Sequence, residues 1–436
     1  MLTWLFRTKR GLISLGVAVL VLAGGALAAY LIVRKPGDVS HPDLSFTETT
    51  PKAPPPKKPK APNFRWPYYG YDAARTKVLP DSNKIRPPFH QIWAYRQKAL
   101  LEFPPSIDNG RLFVLQNDGF VVALRAKDGR KMWMHRLGKL AAASPAVGRH
   151  RVWVVVLRKG DADFGRVACL RQSNGKIIWS RDLPSRAESS PLLLHGRIYF
   201  GSENGTVYAL NARTGHQVWT YHAAGAVKAG LAYDRGTLYF GDYAGEVYAL
   251  KASNGGVVWK SGSSGGYAGG SGQFYSTPAA AYGRVYVGNT DGRMYSFAAG
   301  SGHLAWATRT SAYFYASPSV ATIPGLGPTV YGGSYDGNFY AFDARSGAVR
   351  WHYPASGRIS GGAQIVGGLV YFSDLGDRKV IALSPKTGKV RYTFPDGAFN
   401  PVVADRNHLY VIGFGNIYAM APGQAKPKHQ HQGKQK

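Results

Sequence analysis

Gly205–Trp219 reads GTVYALNARTGHQVW, and Gly245–Trp259 reads GEVYALKASNGGVVW. Both carry a small turn, a strand ending aromatic-Ala-Leu, a second turn built on glycine, and a closing tryptophan. The closing aromatic recurs as Trp93, Trp133, Trp179, Trp219, Trp259, Trp306, Trp351 and Tyr392, and the strand before it recurs from Val121–Leu124 through Ile417–Met420. Self-similarity at a period of about forty residues is the mark of a repeat architecture in which each unit buries its core against its neighbours.

Each unit also opens with strands of its own. Ser144-Pro145, Ser190-Pro191, Thr277-Pro278 and Ser317-Pro318 lead into a first strand. GRIYFGSENG, GTLYFGDYAG and GRVYVGNTDG supply a second, with Asn204-Gly205 and Asp291-Gly292 as hairpin turns. Four short strands per period make one propeller blade. The eighth copy stops at Met420, while Gln91–Tyr95 is a closing strand without a unit of its own. Pairing these two ends closes a ring and removes the open sheet edge. The expectation is an all-β, eight-bladed propeller over residues 64–420.

The skeleton VYALxAxTGxxxW resembles the repeat of the PQQ-type (quinoprotein) propeller superfamily, from about Trp66 to Met420. The lead-in FRWPYYGYDAART, Phe64–Thr76, is similar to a segment that often precedes such propellers. The resemblance implies two branches. One holds PQQ-dependent alcohol and sugar dehydrogenases; the other holds non-enzymatic extracytoplasmic scaffolds of the BamB type.

The dehydrogenase branch implies a vicinal disulfide beside the cofactor and a calcium ion. Cys169 is the sole cysteine, so that disulfide cannot form, and it stands in the small-residue slot that Ala209 and Ala249 fill elsewhere. Acidic residues such as Asp118, Asp128, Asp291 and Asp336 fall on turns, where they bond their own backbone. No loop has calcium-binding spacing, no HExxH occurs, the GxSxG match at Gly262–Gly266 sits in a Gly-rich loop with no following helix pattern and so makes no nucleophile elbow, and seven of the ten tryptophans belong to the repeat. No bound cofactor and no catalytic or metal-ligating residue is therefore expected, with PQQ plus calcium as the alternative reading.

The candidate site comes from residues just ahead of each first strand, which face the central funnel. In register these are Glu102, Glu188, Lys228, Tyr275, Tyr315 and Arg358. The parallel stretches SGQFYSTP and SAYFYASP add Phe274 and Phe314 to Tyr275 and Tyr315, giving a cluster of aromatics expected to be exposed as a contact surface.

The ends are of another kind. Residues 1–10 are a basic cytoplasmic segment, and Gly11–Val33 is an uncharged run of 23 residues. At ~1.5 Å per residue such a helix spans ~34 Å, enough for a signal-anchor that leaves the propeller outside the cytoplasm. Cleavage after Ala26-Leu27-Ala28 would instead release a secreted chain. Residues 34–63, with PKAPPPKKPKAP, are expected to be an extended linker, and 421–436 a basic, disordered tail. The chain has 54 Lys+Arg against 24 Asp+Glu. That balance favours envelope proteins or anionic wall polymer or lipid as partners of a monomeric propeller, while nucleic acid is excluded by its location. A carbohydrate- or wall-polymer-binding sensor is the remaining alternative.

Overall fold

The computed structural model describes residues 17–25, 38–47, 64–160, 164–263 and 272–423. The described residues form eight antiparallel sheets, each built on four strands called a to d from the central axis outward; Arg65–Trp66 adds a fifth strand inside blade 1 and Val39–Ser40 a fifth outside blade 5. Blade 1 spans Ser106–Arg136, blade 2 Ala146–Leu183, blade 3 Leu192–His222 and blade 4 Ala232–Gly262. Blade 5 spans Ala279–Arg309, blade 6 Ser319–Pro354 and blade 7 Gln364–Phe394. Blade 8 takes strands a to c from Val402–Pro422, and its strand d is Phe89–Arg96, with Trp93 opposite Ala419 and Tyr95 opposite Ile417. The chain's first propeller strand thus closes its last blade, as the sequence predicts.

Why alanine sits in the third strand follows from register. In blade 3, Ala209 pairs with Tyr199 on one side and Trp219 on the other. Two large rings flanking one position leave room only for a small side chain. In blade 2 the slot belongs to Cys169, opposite Trp153 and Trp179 and fully buried.

The repeated tryptophan is the joint between blades. Each indole Nε1 donates to a carbonyl of the next blade: Trp179 to Ala212 at 3.2 Å, Trp219 to Ala252 at 3.1 Å and Trp259 to Ala299 at 2.8 Å. The indole lies on the c–d turn glycine of that neighbour. A Cβ added to Gly215, whose φ is +76°, would stand 2.6 Å from Trp179 Cε3. Only glycine permits both that backbone and that approach. Tyr392 of blade 7 has no indole to donate and packs edge-on against Phe89 of the closing strand, at 5.2 Å.

Strand direction defines two faces. Strand a runs away from one face, so that face collects the crossovers between blades and the b–c turns; it is the mouth. The far face collects the a–b and c–d turns. Residues 66–79 run around the inner strands, where the carbonyls of Pro67, Ala73, Ala74, Thr76 and Lys77 accept from the amides of Val147, Tyr233, Ala280, Val320 and Ile365, at 2.7–3.0 Å. This belt lies inside the ring, against strand a of successive blades.

The linker expectation needs correction at its start. Residues 38–47, placed by sequence in an extended stalk, are docked on the propeller. Val39 and Ser40 pair with Ala307 and Trp306 on the outer edge of blade 5, and Leu44 and Phe46 pack under it. Two apolar side chains and a free sheet edge outweigh the polar composition around them. Residues 17–25 of the expected 11–33 span are helical. Among the described residues no helix is long and apolar enough to cross a membrane. The remainder of that span, residues 48–63 and 424–436, and most of the Gly-rich loop at 261–273 lie outside the described residues.

Candidate functional site at the funnel mouth

A two-residue pattern recurs where the chain crosses from one blade to the next. The first residue is a wedge between blades and the second faces the axis. The wedges are Leu101, Ala141, Ala187, Val227, Phe274, Phe314, Ile359 and Ala398, each 0–2 % exposed. The residues that follow are Glu102, Ala142, Glu188, Lys228, Tyr275, Tyr315, Ser360 and Phe399.

Five of the candidates, Glu102, Glu188, Lys228, Tyr275 and Tyr315, line one mouth cavity together with Ser360 and Phe399. Phe274 and Phe314 do not join them. Both are fully buried, against an expectation of exposure. A Cβ at Gly241 would stand 2.3 Å from Phe274 Cβ, and one at Gly288 would stand 2.5 Å from Phe314 Cδ1. These large rings fill gaps left by glycine strands, so they are interblade wedges. Arg358 is also displaced: Ile359 occupies the wedge, so Ser360 holds the funnel position of blade 7. The exposed Arg358 guanidinium instead lies over the Tyr335 ring, 5.5 Å from its centre.

The charged side of the mouth is a cluster from blades 3 and 4. Lys228 Nζ is 2.9 Å from Glu188 Oε1 and 2.9 Å from Glu203 Oε1, and Arg186 Nε is 3.4 Å from Glu203 Oε2. Burial opposes the Lys228 charge, but the two carboxylates hold its ammonium above the ordinary lysine range. Burial also raises the Glu188 carboxyl, against the pull of Lys228. Glu102 is pushed up to about 7 by burial and then by the Glu188 charge, with Lys228 only partly offsetting them.

The opposite side is aromatic. Tyr243 and Tyr275 have ring centroids 6.1 Å apart, Tyr275 and Tyr315 meet edge-on at 5.2 Å, and Tyr315 and Tyr335 lie at 4.8 Å. Lys228 Nζ sits 5.4 Å from the Tyr243 ring centre, so the arc begins at one cation and ends at Arg358. Tyr313, 52 % exposed, stands 5.9 Å from Tyr315 at the rim.

The floor is the part that sequence reading missed. Arg75 and Lys77 of the belt are fully buried. Arg75 donates to the carbonyls of Leu231 at 2.8 Å, Ser190 at 3.2 Å and Tyr69, while Lys77 donates to Pro318 O at 3.0 Å and Arg75 O at 3.2 Å. Burial lowers the Lys77 ammonium to about 7 and the Arg75 guanidinium to about 10. Tyr69 packs beneath Lys77, at 5.2 Å, and burial raises its phenol to about 12. Their only sequence signal was the Phe64–Thr76 lead-in, which carries no repeat to align. Above this floor the cavity measures about 50 Å³, room for a few waters.

The family profile described as outer membrane protein assembly factor BamB matches residues 90–162, 154–227 and 204–411. Among curated proteins, the outer membrane protein assembly factor BamB of Moranella endobia (strain PCIT) is 26 % identical over 148 residues, which cover 30 % of this chain and 36 % of that one. The chain therefore spans little more than a third of that relative. BamB from Moraxella catarrhalis superposes with a TM-score of 0.62 at 18 % identity, over 79 % of this chain and 100 % of that one. A quinohemoprotein alcohol dehydrogenase from Pseudomonas putida superposes with 0.69 at 16 % identity, over 83 % and 81 %. A europium-containing methanol dehydrogenase does so with 0.66 at 14 %, over 83 % and 98 %. At such identities the solved structures speak for the fold alone. With matches spanning most of its length, the chain belongs to the PQQ-like propeller family described as outer membrane protein assembly factor BamB.

Proposed function

We propose that this chain is a non-enzymatic interaction scaffold, held outside the cytoplasm by the 11–33 span, whose funnel mouth takes a basic side chain of an extended partner segment. The observation that carries this reading is the closed floor. Tyr69 of the belt lines the mouth cavity, Arg75 and Lys77 are fully buried beside it against the carbonyls of Leu231, Ser190 and Pro318, and the cavity measures about 50 Å³. Small-molecule pockets run to roughly 300–1,000 Å³. The residues present do not fit PQQ and its metal: among the described residues no three His, Cys, Asp or Glu side chains stand together as a metal site, and Cys169 is alone and buried. No reaction step is assigned to them.

The rim, by contrast, suits a polypeptide. Lys228 is already shared by Glu188 and Glu203, whereas no ion pair to the Glu102 side chain occurs among the described residues. A lysine or arginine entering beside Glu102 would gain a carboxylate and the Tyr275 and Tyr315 rings. The name of the BamB relatives, outer membrane protein assembly factor, supports a protein-handling role in the envelope. The test is site-specific photocrosslinking from position 315 in cells, compared between the parent chain and Glu102→Gln. A discrete adduct that falls several-fold in the variant supports the reading, and an adduct indifferent to Glu102 removes it.

A further inference from the structure

We infer that the docked segment Asp38–Thr47 is a strap that turns the funnel mouth toward the membrane holding the anchor, an inference that rests on the anchor reading above. Strand direction carries it. Val39–Ser40 runs antiparallel to strand d of blade 5, which itself ends at the mouth. The strap therefore starts at the mouth rim, where the Arg309 amide donates to Asp38 Oδ1 at 3.0 Å. It then descends the blade edge and ends on the far face, where the Thr47 amide donates to Tyr282 O at 3.0 Å.

The strap is held along its length. Arg345 pairs with Asp43 at 2.8 Å, Ser40 Oγ donates to Ser346 O at 2.7 Å, and the buried Arg284 lies 5.6 Å from the Phe46 ring centre and donates to Pro42 O at 3.1 Å. Between the end of the proposed span at Val33 and Asp38 stand only residues 34–37. Even fully extended, the five steps from Val33 to Asp38 reach ~17 Å. A six-residue blade strand is ~20 Å tall before its turns are added. The tether is thus too short for the chain to leave at the mouth rim and still place the far face on the bilayer.

Side-chain distribution separates mouth-down from edge-down. Among the described residues of the propeller the most exposed large aromatics are Phe164, Tyr313 and Phe414, at 52 %, 52 % and 42 %, and all three sit on mouth-side turns or crossovers. Exposed apolar residues on the outer edges, such as Ile178, Val218 and Val258, are aliphatic. Arg378 lies 5.1 Å from the Phe414 ring centre, adding a cation at that rim. Aromatic rings beside basic groups suit the headgroup layer. The rim's occupant is therefore the lipid surface of the chain's own membrane, and whatever enters the funnel emerges from that surface.

The test uses the full chain in liposomes of mixed phosphatidylcholine and phosphatidylglycerol carrying a headgroup nitroxide quencher. A fluorophore is placed on Ala244→Cys, a mouth-side turn of blade 4, or on Arg235→Cys, a far-face turn of the same blade; the buried Cys169 stays unlabelled. The account expects at least twofold stronger quenching at position 244. Equal quenching, or stronger quenching at 235, overturns it. Flotation after a carbonate wash separates the two readings: a chain that washes off overturns the anchor and this inference with it, whereas a retained chain with unbiased quenching overturns the orientation alone. Inserting twenty Gly/Ser residues after Lys35 leaves strap and propeller untouched and should erase most of the bias. A full bias after insertion would show that the short tether is not its cause.

Discussion

Lys228 of blade 4 and Glu188 of blade 3 meet 2.9 Å apart at the funnel mouth, where the glutamate is only about 9 % exposed. Lys228 also faces Glu203 at 2.9 Å. One ammonium thus balances two carboxylates across a blade boundary. Removing one partner from such a pair costs more than the pair contributes, because a buried charge is stranded.

Lys228→Met should therefore destabilise the propeller, by about 1–3 kcal/mol after allowance for the partial exposure of the lysine. The loss should be larger at pH 8 than at pH 5, since the stranded carboxyls can protonate at the lower pH. Calorimetric melting at both values checks this, and an equal loss would contradict it.

Glu102 gives a second pH signature. Its folded value of about 7 lies above the ordinary glutamate value of 4.5, so between those values the folded state binds more protons than the unfolded one. Stability contributed by this group then falls as pH rises through that window, and the cost is complete above about pH 7. Glu102→Gln should melt higher than the parent at pH 8 and alike at pH 4.5. A variant less stable than the parent at pH 8 would show that Glu102 has a cation partner.

The tryptophan joints predict a contrast between two glycines. Gly215→Ala meets Trp179 at 2.6 Å and keeps φ at +76°, whereas Gly236→Ala, at φ +89°, meets nothing within 4 Å. Both pay for the left-handed backbone, about 1 kcal/mol. Only Gly215→Ala must also push the indole off its seat, so it should lower Tm by several degrees more than Gly236→Ala. Equal shifts would mean that the indole moves freely.

Cys169 should be chemically silent. It is fully buried, and burial pushes its thiol up to about 12, far from the thiolate needed for reaction. A thiol reagent should find no cysteine in the native chain and one after denaturation.

What was legible in the sequence was whatever repeated. Eight copies of the aromatic and of the strand before it, with seven tryptophan–glycine joints, fix blade count, closure and the interblade contact, because one physical need recurs around the ring. Non-repeating residues were harder. Arg358 and Ser360 differ by two positions in a stretch with few landmarks, and only the buried Ile359 wedge settles the register. Phe274 and Phe314 look like surface aromatics beside Tyr275 and Tyr315 until the glycine strands that they fill are placed against them. The belt and the strap were least legible: Arg75 and Lys77 are buried by carbonyls from distant blades, and Leu44 and Phe46 find their pocket only once blade 5 has folded.

The account's central claim is that the mouth is a polypeptide contact beside Glu102. The most direct measurement is photocrosslinking in cells from position 315, set beside position 258 on the outer edge of blade 4, in parent and Glu102→Gln chains. The account predicts a discrete membrane-fraction adduct from 315, absent from 258 and reduced several-fold by Glu102→Gln. The same adducts from both positions, or an adduct unchanged by the substitution, would contradict it.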